Sequence, residues 1–183
     1  MRPRRPPIFV LACALAALLA AGCDSGRPEG VAREGLYEDV AGLDYNVFIT
    51  RELNLRDAED RDYYHGPEAP PGSALYGVFI QVCNHGEGYK FPNAEFTVED
   101  NQGNEFHPLP IPKSDVFAYR PKRLATDSCI PEPGSAAASG PTAGSLLVFQ
   151  FPLASVENRP LELVIEAPPG SEKPTRKVIQ LDI

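Results

Sequence analysis

The chain is poor in the side chains that build soft metal sites. Its single methionine is Met1. Its three histidines, His65, His85 and His107, are far apart, and none has a second His or Cys at zinc-ligand spacing. All three are expected at the surface or at loop ends, and neither a metal nor another cofactor is expected. Catalytic signatures are missing too. There is no Gly-x-Ser-x-Gly elbow, no Gly-rich phosphate cradle and no dinucleotide fingerprint. Ser128 sits beside Cys129 with no histidine placed by sequence to activate it. Carboxylate pairs for glycoside cleavage depend on separation in space, and 25 acidic residues make coincidental pairs common. No catalytic residue is assigned, so a non-enzymatic module is the first reading. An exported metal-dependent domain or hydrolase with a loop-assembled site is the second.

Positive charge is scarce and unevenly placed. Arg2, Arg4 and Arg5 precede an uncharged run of 14 residues from Ile8 to Ala21, and the small residues Ala20, Ala21 and Gly22 lead into Cys23. That order is the layout of an export signal. The run falls short of the roughly 20 apolar residues that a spanning helix needs. The small-residue-then-Cys ending resembles a lipobox, with Leu19 one step earlier than the usual leucine. Residues 1–22 are therefore expected to be a lipoprotein signal peptide, with Cys23 lipidated and the chain held at the outer face of the cell membrane. An ordinary cleavable signal, leaving Cys23 free, is the alternative. Without those three arginines, 14 basic residues face 25 acidic ones, a net charge of −11. Such a balance argues against nucleic acid as partner, since phosphate neutralisation needs clustered Lys and Arg. An envelope protein or another cell-surface component is the expected partner class.

Four cysteines are present. Cys13 lies in the signal and Cys23 would carry lipid, which leaves Cys83 and Cys129. In an oxidising compartment that pair is expected as a disulfide.

No segment after the signal carries an apolar stripe at helical spacing. Residues 24–35 are small, polar and charged, and residues 23–42 are read as the lipidated cysteine and a flexible tether. The domain is expected over 43–183. Strand-like alternation starts at 45–50, with Tyr45, Val47 and Ile49 on one face. It is strongest over 75–84, where Tyr76, Val78, Ile80 and Val82 would face the core and Phe79, Gln81 and Cys83 the other way. Being apolar on both faces, that strand should be central in its sheet. Residues 53–73 read as a long polar loop. Residues 94–99 and 105–109 read as a hairpin around Asp100-Asn101-Gln102-Gly103-Asn104, with Gly103 free to take a positive φ. Prolines break up 110–145, and 134–145 looks low in complexity and mobile. Three strands close the chain, at 146–151, 161–166 and 177–183. Leu147, Phe149, Phe151, Leu161, Leu163, Ile165, Ile179, Leu181 and Ile183 would point inward. About seven short strands separated by turns predict an all-β, antiparallel immunoglobulin-like β-sandwich, with a small barrel as runner-up.

Two stretches carry a family resemblance. Tyr76-Gly77-Val78-Phe79-Ile80-Gln81-Val82-Cys83-Asn84-His85-Gly86 resembles a long alternating strand ending in an Asn-rich turn. Pro133-Gly134-Ser135, followed by Gly144-Ser145-Leu146-Leu147-Val148-Phe149-Gln150-Phe151-Pro152, resembles a Pro-Gly loop feeding a strand. Both are similar to a bacterial extracellular and lipoprotein family of unknown function with an immunoglobulin-like sandwich fold. The resemblance covers roughly 43–183 and departs at 53–73 and at 135–143. It implies the sandwich and no catalytic residues. Some members bear the label telomeric repeat-binding factor, which does not suit an acidic exported chain and is not carried over.

Two acidic stretches invite a calcium reading, Asp57, Glu59, Asp60 and Asp62 in one loop and residues 100–105 in the hairpin. Hard cations need six to eight converging oxygens. The second run lacks helix-loop-helix spacing, and its turn role already accounts for its residues. Tyr63 and Tyr64 in the acidic loop, with Phe117 and Tyr119 ahead of Arg120, Lys122 and Arg123, are the candidate partner contacts. Tyr and Arg are favoured at binding hot spots, and loops on a rigid sandwich commonly carry function. The competing expectation is that these aromatics fold back over the sandwich edge.

Overall fold

The computed structural model describes residues 30–171 and 175–183; the signal segment and Cys23 lie outside the described residues. Among the described residues, ten strands form two sheets. One sheet has the order β1 (Val31–Arg33), β10 (Arg176–Leu181), β9 (Leu161–Glu166), β5 (Thr97–Asp100), β6 (Glu105–Phe106). The other runs β2 (Tyr37–Val40), β3 (Leu43–Leu53), β4 (Ser73–Asn84). The far edge of β4 is shared by β8 (Ser145–Pro152), which pairs with residues 73–80, and β7 (Ser128–Ile130), which pairs with 82–84. Pairing between these strands is antiparallel except between β1 and β10, which run parallel. The expected two-sheet sandwich is present, with three short strands more than the alternation revealed.

The core lies between the sheets. Tyr76, Val78, Ile80 and Val82 of β4 meet Leu161, Leu163 and Ile165 of β9 and Ile179 and Leu181 of β10, all buried. Phe149 and Phe151 of β8 add two stacked rings 5.8 Å apart. A second buried cluster covers the outer face of the β4 sheet. There Leu75, Phe79, Leu146 and Val148 pack under Tyr63 and Tyr64, with Ile111 and Phe117 at its margin. The molecule thus has three layers over part of its area. That explains why β4 and β8 are apolar on both faces: each is sandwiched twice.

The covering layer corrects the reading of 53–73 as a bare loop. It contains a one-and-a-half-turn helix, α1 (Ala58–Tyr63), capped by Asp57, whose carboxylate accepts the Glu59 N–H at 3.1 Å. Six residues are too few to show a periodic stripe, so composition concealed the helix. Residues 134–145 are likewise not bare. Ser135 caps a single turn, α2 (Ala136–Ser139), and Ala137 is buried. A third short helix, α3 (Leu153–Glu157), follows β8.

Three further expectations shift. Ile49 is 40% exposed, because a β-bulge between Val47 and Ile49 turns its side chain to the outer face. The hairpin is shorter than read: β5 begins at Thr97, and β6 stops at Phe106 before Pro108 and Pro110. Gly103 does take a positive φ of 81°. The stretch read as tether up to 42 contains β1 and β2, so it is paired strand from Val31 to Arg33 and from Tyr37 to Val40. Glu34 clasps this N-terminal segment to the body, one carboxylate oxygen accepting the Thr50 N–H and the other the Asp182 N–H, each at 3.0 Å. Burial raises its carboxyl pKa, against the lowering effect of those hydrogen bonds.

The outer face of the β9 sheet carries an uncommon row. Glu99 lies directly opposite Glu105 on one side and Glu162 on the other. Like charges facing each other across strands are destabilising, and Arg176, 2.9 Å from Glu99, offsets part of this. Glu162→Thr is therefore expected to raise stability by about 0.5 kcal/mol, the gain shrinking with added salt. Urea midpoints at low and high ionic strength would check both parts.

Candidate functional site

Four connections meet at one end of the sandwich. They are the β2–β3 turn at 41–42, residues 85–93 after β4, residues 120–127 before β7, and, between β9 and β10, residues 167–171 and Thr175. A groove of about 700 Å³ is lined by residues from three of them, including Gly42, Lys90, Phe91 and Pro168. The root of this end is Asn84, fully buried at the last position of β4. Its amide nitrogen donates to the carbonyls of Gly88 at 2.9 Å and Leu124 at 3.3 Å, and its amide oxygen accepts the Gly86 N–H at 3.1 Å. Lys90 and Leu124 exchange both backbone hydrogen bonds, at 2.9 and 2.8 Å, so the two loops run as a short antiparallel ribbon. The Lys90 ammonium turns back and donates to the Gly42 carbonyl at 2.6 Å. Beside it, Cys83 and Cys129 form the expected disulfide between facing positions of β4 and β7.

Extended backbone at 89–91 puts Tyr89 and Phe91 on the same side of the ribbon. They are 65% and 67% exposed, among the most open large apolar side chains described. Arg123 lies over the Tyr89 ring, 4.1 Å from its centroid, a cation–π distance. Tyr89 is also a ridge between two depressions, since it lines both the larger groove and a second of about 430 Å³ with Arg123, Asp127 and Cys129. The platform beneath is stiff. Asn93 donates its N–H to the Tyr45 hydroxyl and accepts from the Tyr119 hydroxyl on its carbonyl, both at 2.8 Å. Burial pushes Tyr45 up to about 12, despite the Asn93 hydrogen bond, and raises Tyr119 further, so both remain neutral pins.

Asn84→Ala should cost about 1–3 kcal/mol, because it removes three hydrogen bonds made by a fully buried side chain and leaves the Gly88 carbonyl and the Gly86 N–H without that partner. Faster amide exchange at Gly86, Gly88 and Leu124 than in the strands would show that the loss is local.

Of the four aromatic residues singled out in the sequence, three are elsewhere and Tyr119 lies beneath the rim as a buried pin. Tyr63, Tyr64 and Tyr119 are only 3%, 2% and 6% exposed, and Phe117 is half-buried at 4.9 Å from the Tyr63 ring. Tyr119 packs into the inter-sheet core against Phe96, while the apolar outer face of β4 and β8 needs cover, and Tyr63, Tyr64 and Phe117 supply it. Gly66 makes room for this, because a β-carbon there would collide with the Tyr64 ring. Contact residues must be reachable, and the exposed pair Tyr89 and Phe91 went unnoticed. A signal for them exists: they sit between Gly88 and Pro92, in a stretch too short to fold back over a sheet.

The histidines do not converge. His65 faces Asp115 at 3.4 Å, His85 faces Asp127 at 3.8 Å and His107 faces Thr97 at 3.4 Å. Among the described residues no three His, Cys, Asp or Glu side chains stand where they could share a metal ion. The acidic residues around α1 are engaged locally. Asp60 takes the Asn54 N–H at 2.8 Å and pairs with Arg51, which also reaches Glu59. Asp100 accepts the N–H groups of Gln102 and Asn104 at 2.9 Å. Burial alone would raise its pKa, but these bonds and the Asn104 side chain hold it lowered.

No family model matches the chain, and no curated protein matches it. Solved bacterial structures do. The yjhA protein of Bacillus subtilis superposes with a TM-score of 0.51 at 10% identity, over 82% of this chain and 99% of its own. A functionally unknown protein from Listeria monocytogenes gives 0.53 at 11% identity, over 83% and 84%. The candidate lipoprotein ycdA of Bacillus subtilis gives 0.50 at 10% identity; 80% of this chain corresponds to 38% of that one. The likeness is one of fold. What the chain does must be read from its own surface, and there the ribbon at 84–93 and 120–128 offers an exposed aromatic rim on a disulfide-tied base.

Proposed function

We propose that the chain is a non-enzymatic, extracytoplasmic β-sandwich module, lipid-anchored through Cys23, which works by contact through its aromatic loop end with a component of the cell envelope. The observation that carries this reading is the Tyr89–Arg123–Phe91 rim. Tyr and Arg bind well because they combine apolar area with a polar handle at small entropic cost. Here they stand on a base fixed by Asn84, Lys90 and the Cys83–Cys129 bridge. Anchoring rests on the order of residues from Arg2 to Cys23. A diacylglyceryl group with an added acyl chain would exceed the single-chain limit for stable membrane attachment.

Intact mass of the protein from the membrane fraction of its native host is the test. Cleavage before Cys23, with a diacylglyceryl mass on that residue, supports the anchor. A soluble chain with unmodified Cys23 overturns it. For the contact surface, Tyr89→Ser with Phe91→Ser should abolish cross-linking from the 84–93 loop to envelope components. Unchanged cross-linking would remove that half of the reading.

A further inference from the structure

The loop end that carries Tyr89 and Phe91 is also the end at which the chain enters the domain. Val31 pairs in parallel with Val178 near the start of β10, and β10 starts next to Thr175, which lines the groove. Only seven peptide steps separate Cys23 from Gly30. Fully extended, they span at most about 25 Å. Strand β4, with 12 residues, measures about 40 Å. A lipid on Cys23 therefore cannot let the domain turn its far end, where the 101–104 turn and Leu153 lie, onto the bilayer.

On the lipid-anchor reading above, we propose that the component met by the aromatic rim is the bilayer in which the anchor sits. Tyr89 and Phe91 would enter the headgroup region of a zwitterionic membrane, with Arg123 at the phosphate level. Three observations choose this occupant. Aromatic side chains prefer the membrane–water interface, and Tyr keeps its hydroxyl wet there. Arg123 is the exposed cation beside the rings, stacked on Tyr89 and able to reach a phosphate. The β9 sheet, the broad alternative resting face, is acidic, presenting Glu99, Glu105, Glu162 and Glu166 with Arg176 among them, whereas the covering layer carries both signs, Asp57, Glu59 and Asp62 with Arg56 and Arg61. Charge at the loop end itself is mixed. Lys122 is paired with Glu132, while Glu87 and Asp127 are exposed. That mixture, on a chain of net charge −11 after the signal, favours zwitterionic over anionic lipid.

The chain has no tryptophan, so a single introduced indole reports its own surroundings. Phe91→Trp and Tyr89→Trp place it on the rim. Leu153→Trp places it at the far end, and Val116→Trp on the covering layer; both native side chains are exposed, so neither change disturbs a core. Each full-length lipidated protein would be placed on phosphatidylcholine vesicles containing a brominated phosphatidylcholine. The expected result is a blue-shifted emission and loss of most of the signal for Phe91→Trp and Tyr89→Trp, with Leu153→Trp and Val116→Trp unchanged. Diacylated, vesicle-bound protein whose rim tryptophans are quenched no more than those at 116 and 153 would overturn the membrane contact and leave the anchor standing. Quenching strongest at 116 would overturn it in favour of a domain lying on its side. Unmodified Cys23 and no vesicle association would overturn the anchor reading itself.

Discussion

Replacing Cys83 and Cys129 together by alanine is expected to lower the unfolding free energy by about 3–4 kcal/mol, the chain-entropy value for a loop of this length. The two cysteines are 46 residues apart in sequence. For a domain of this size that corresponds to a fall in melting temperature of roughly 10 °C. The native state has little to set against the loss, because β7 pairs with β4 over only three positions. The loss should also be uneven. Tyr89, Phe91, Arg123 and the Asn84 network all lie inside the bridged loop, so the ribbon at Lys90 and Leu124 should open before the sheets do. Two measurements check this: calorimetry of the oxidised, reduced and double-alanine proteins, and hydrogen exchange at Lys90 and Leu124. A melting temperature indifferent to reduction would sink the entropic argument.

Phe79→Ala should be as costly, about 3–5 kcal/mol, through lost transfer energy and the cavity left behind. Phe79 faces away from the inter-sheet core, toward Tyr63 at a ring distance of 5.1 Å. In a plain two-layer sandwich that position would face water, and its truncation would change stability by no more than about 0.5 kcal/mol. The size of the effect therefore distinguishes two layers from three. Truncation should also release α1, whose docking depends on the Tyr63–Phe79 contact and on the Arg51–Asp60 pair, so proteolysis within 54–72 should accelerate in step. Urea unfolding and limited digestion of the same variant measure the two consequences separately.

How much of this could be read from the residues varies by element. The strands β4, β8, β9 and β10 were legible because their partners impose strict alternation or apolarity on both faces. Their inward sets, Tyr76 to Val82 and Leu161 to Ile165, are buried as expected. Ile49 was misplaced because a bulge adds one residue, and one residue reverses every facing after it. The strands β1 and β2 were hidden for another reason. Three or four residues carry no period, and the partner of β1 stands about 150 residues further on, at β10. At the site, the disulfide was legible from cysteine arithmetic alone. For Tyr63, Tyr64, Phe117 and Tyr119 the sequence left two expectations, contact with a partner or folding back over the sandwich edge. The burial of Tyr63, Tyr64 and Phe117 is decided by what β4 and β8 show on their outer faces, and that of Tyr119 by the inter-sheet core, properties of paired strands rather than of the loop sequence. Tyr89 and Phe91 stay out because Gly88 and Pro92 leave them no path back.

The parallel pairing of β1 with β10 has a mechanical consequence. The chain enters at one end of the sandwich, and β10 finishes at the other, with the two strands side by side. Tension applied between the beginning of β1 and the end of β10 therefore loads their hydrogen bonds in shear, all at once, instead of peeling them one by one. The Glu34 clasp to Asp182 and the Lys177–Glu38 pair, at 2.7 Å, cross the same boundary and share the load. A force-bearing joint of this kind resists through its unfolding rate rather than its equilibrium stability. The domain should then yield at higher force when pulled by its two ends than when pulled across the 101–104 turn, where β5 and β6 are held by two facing pairs and can unzip.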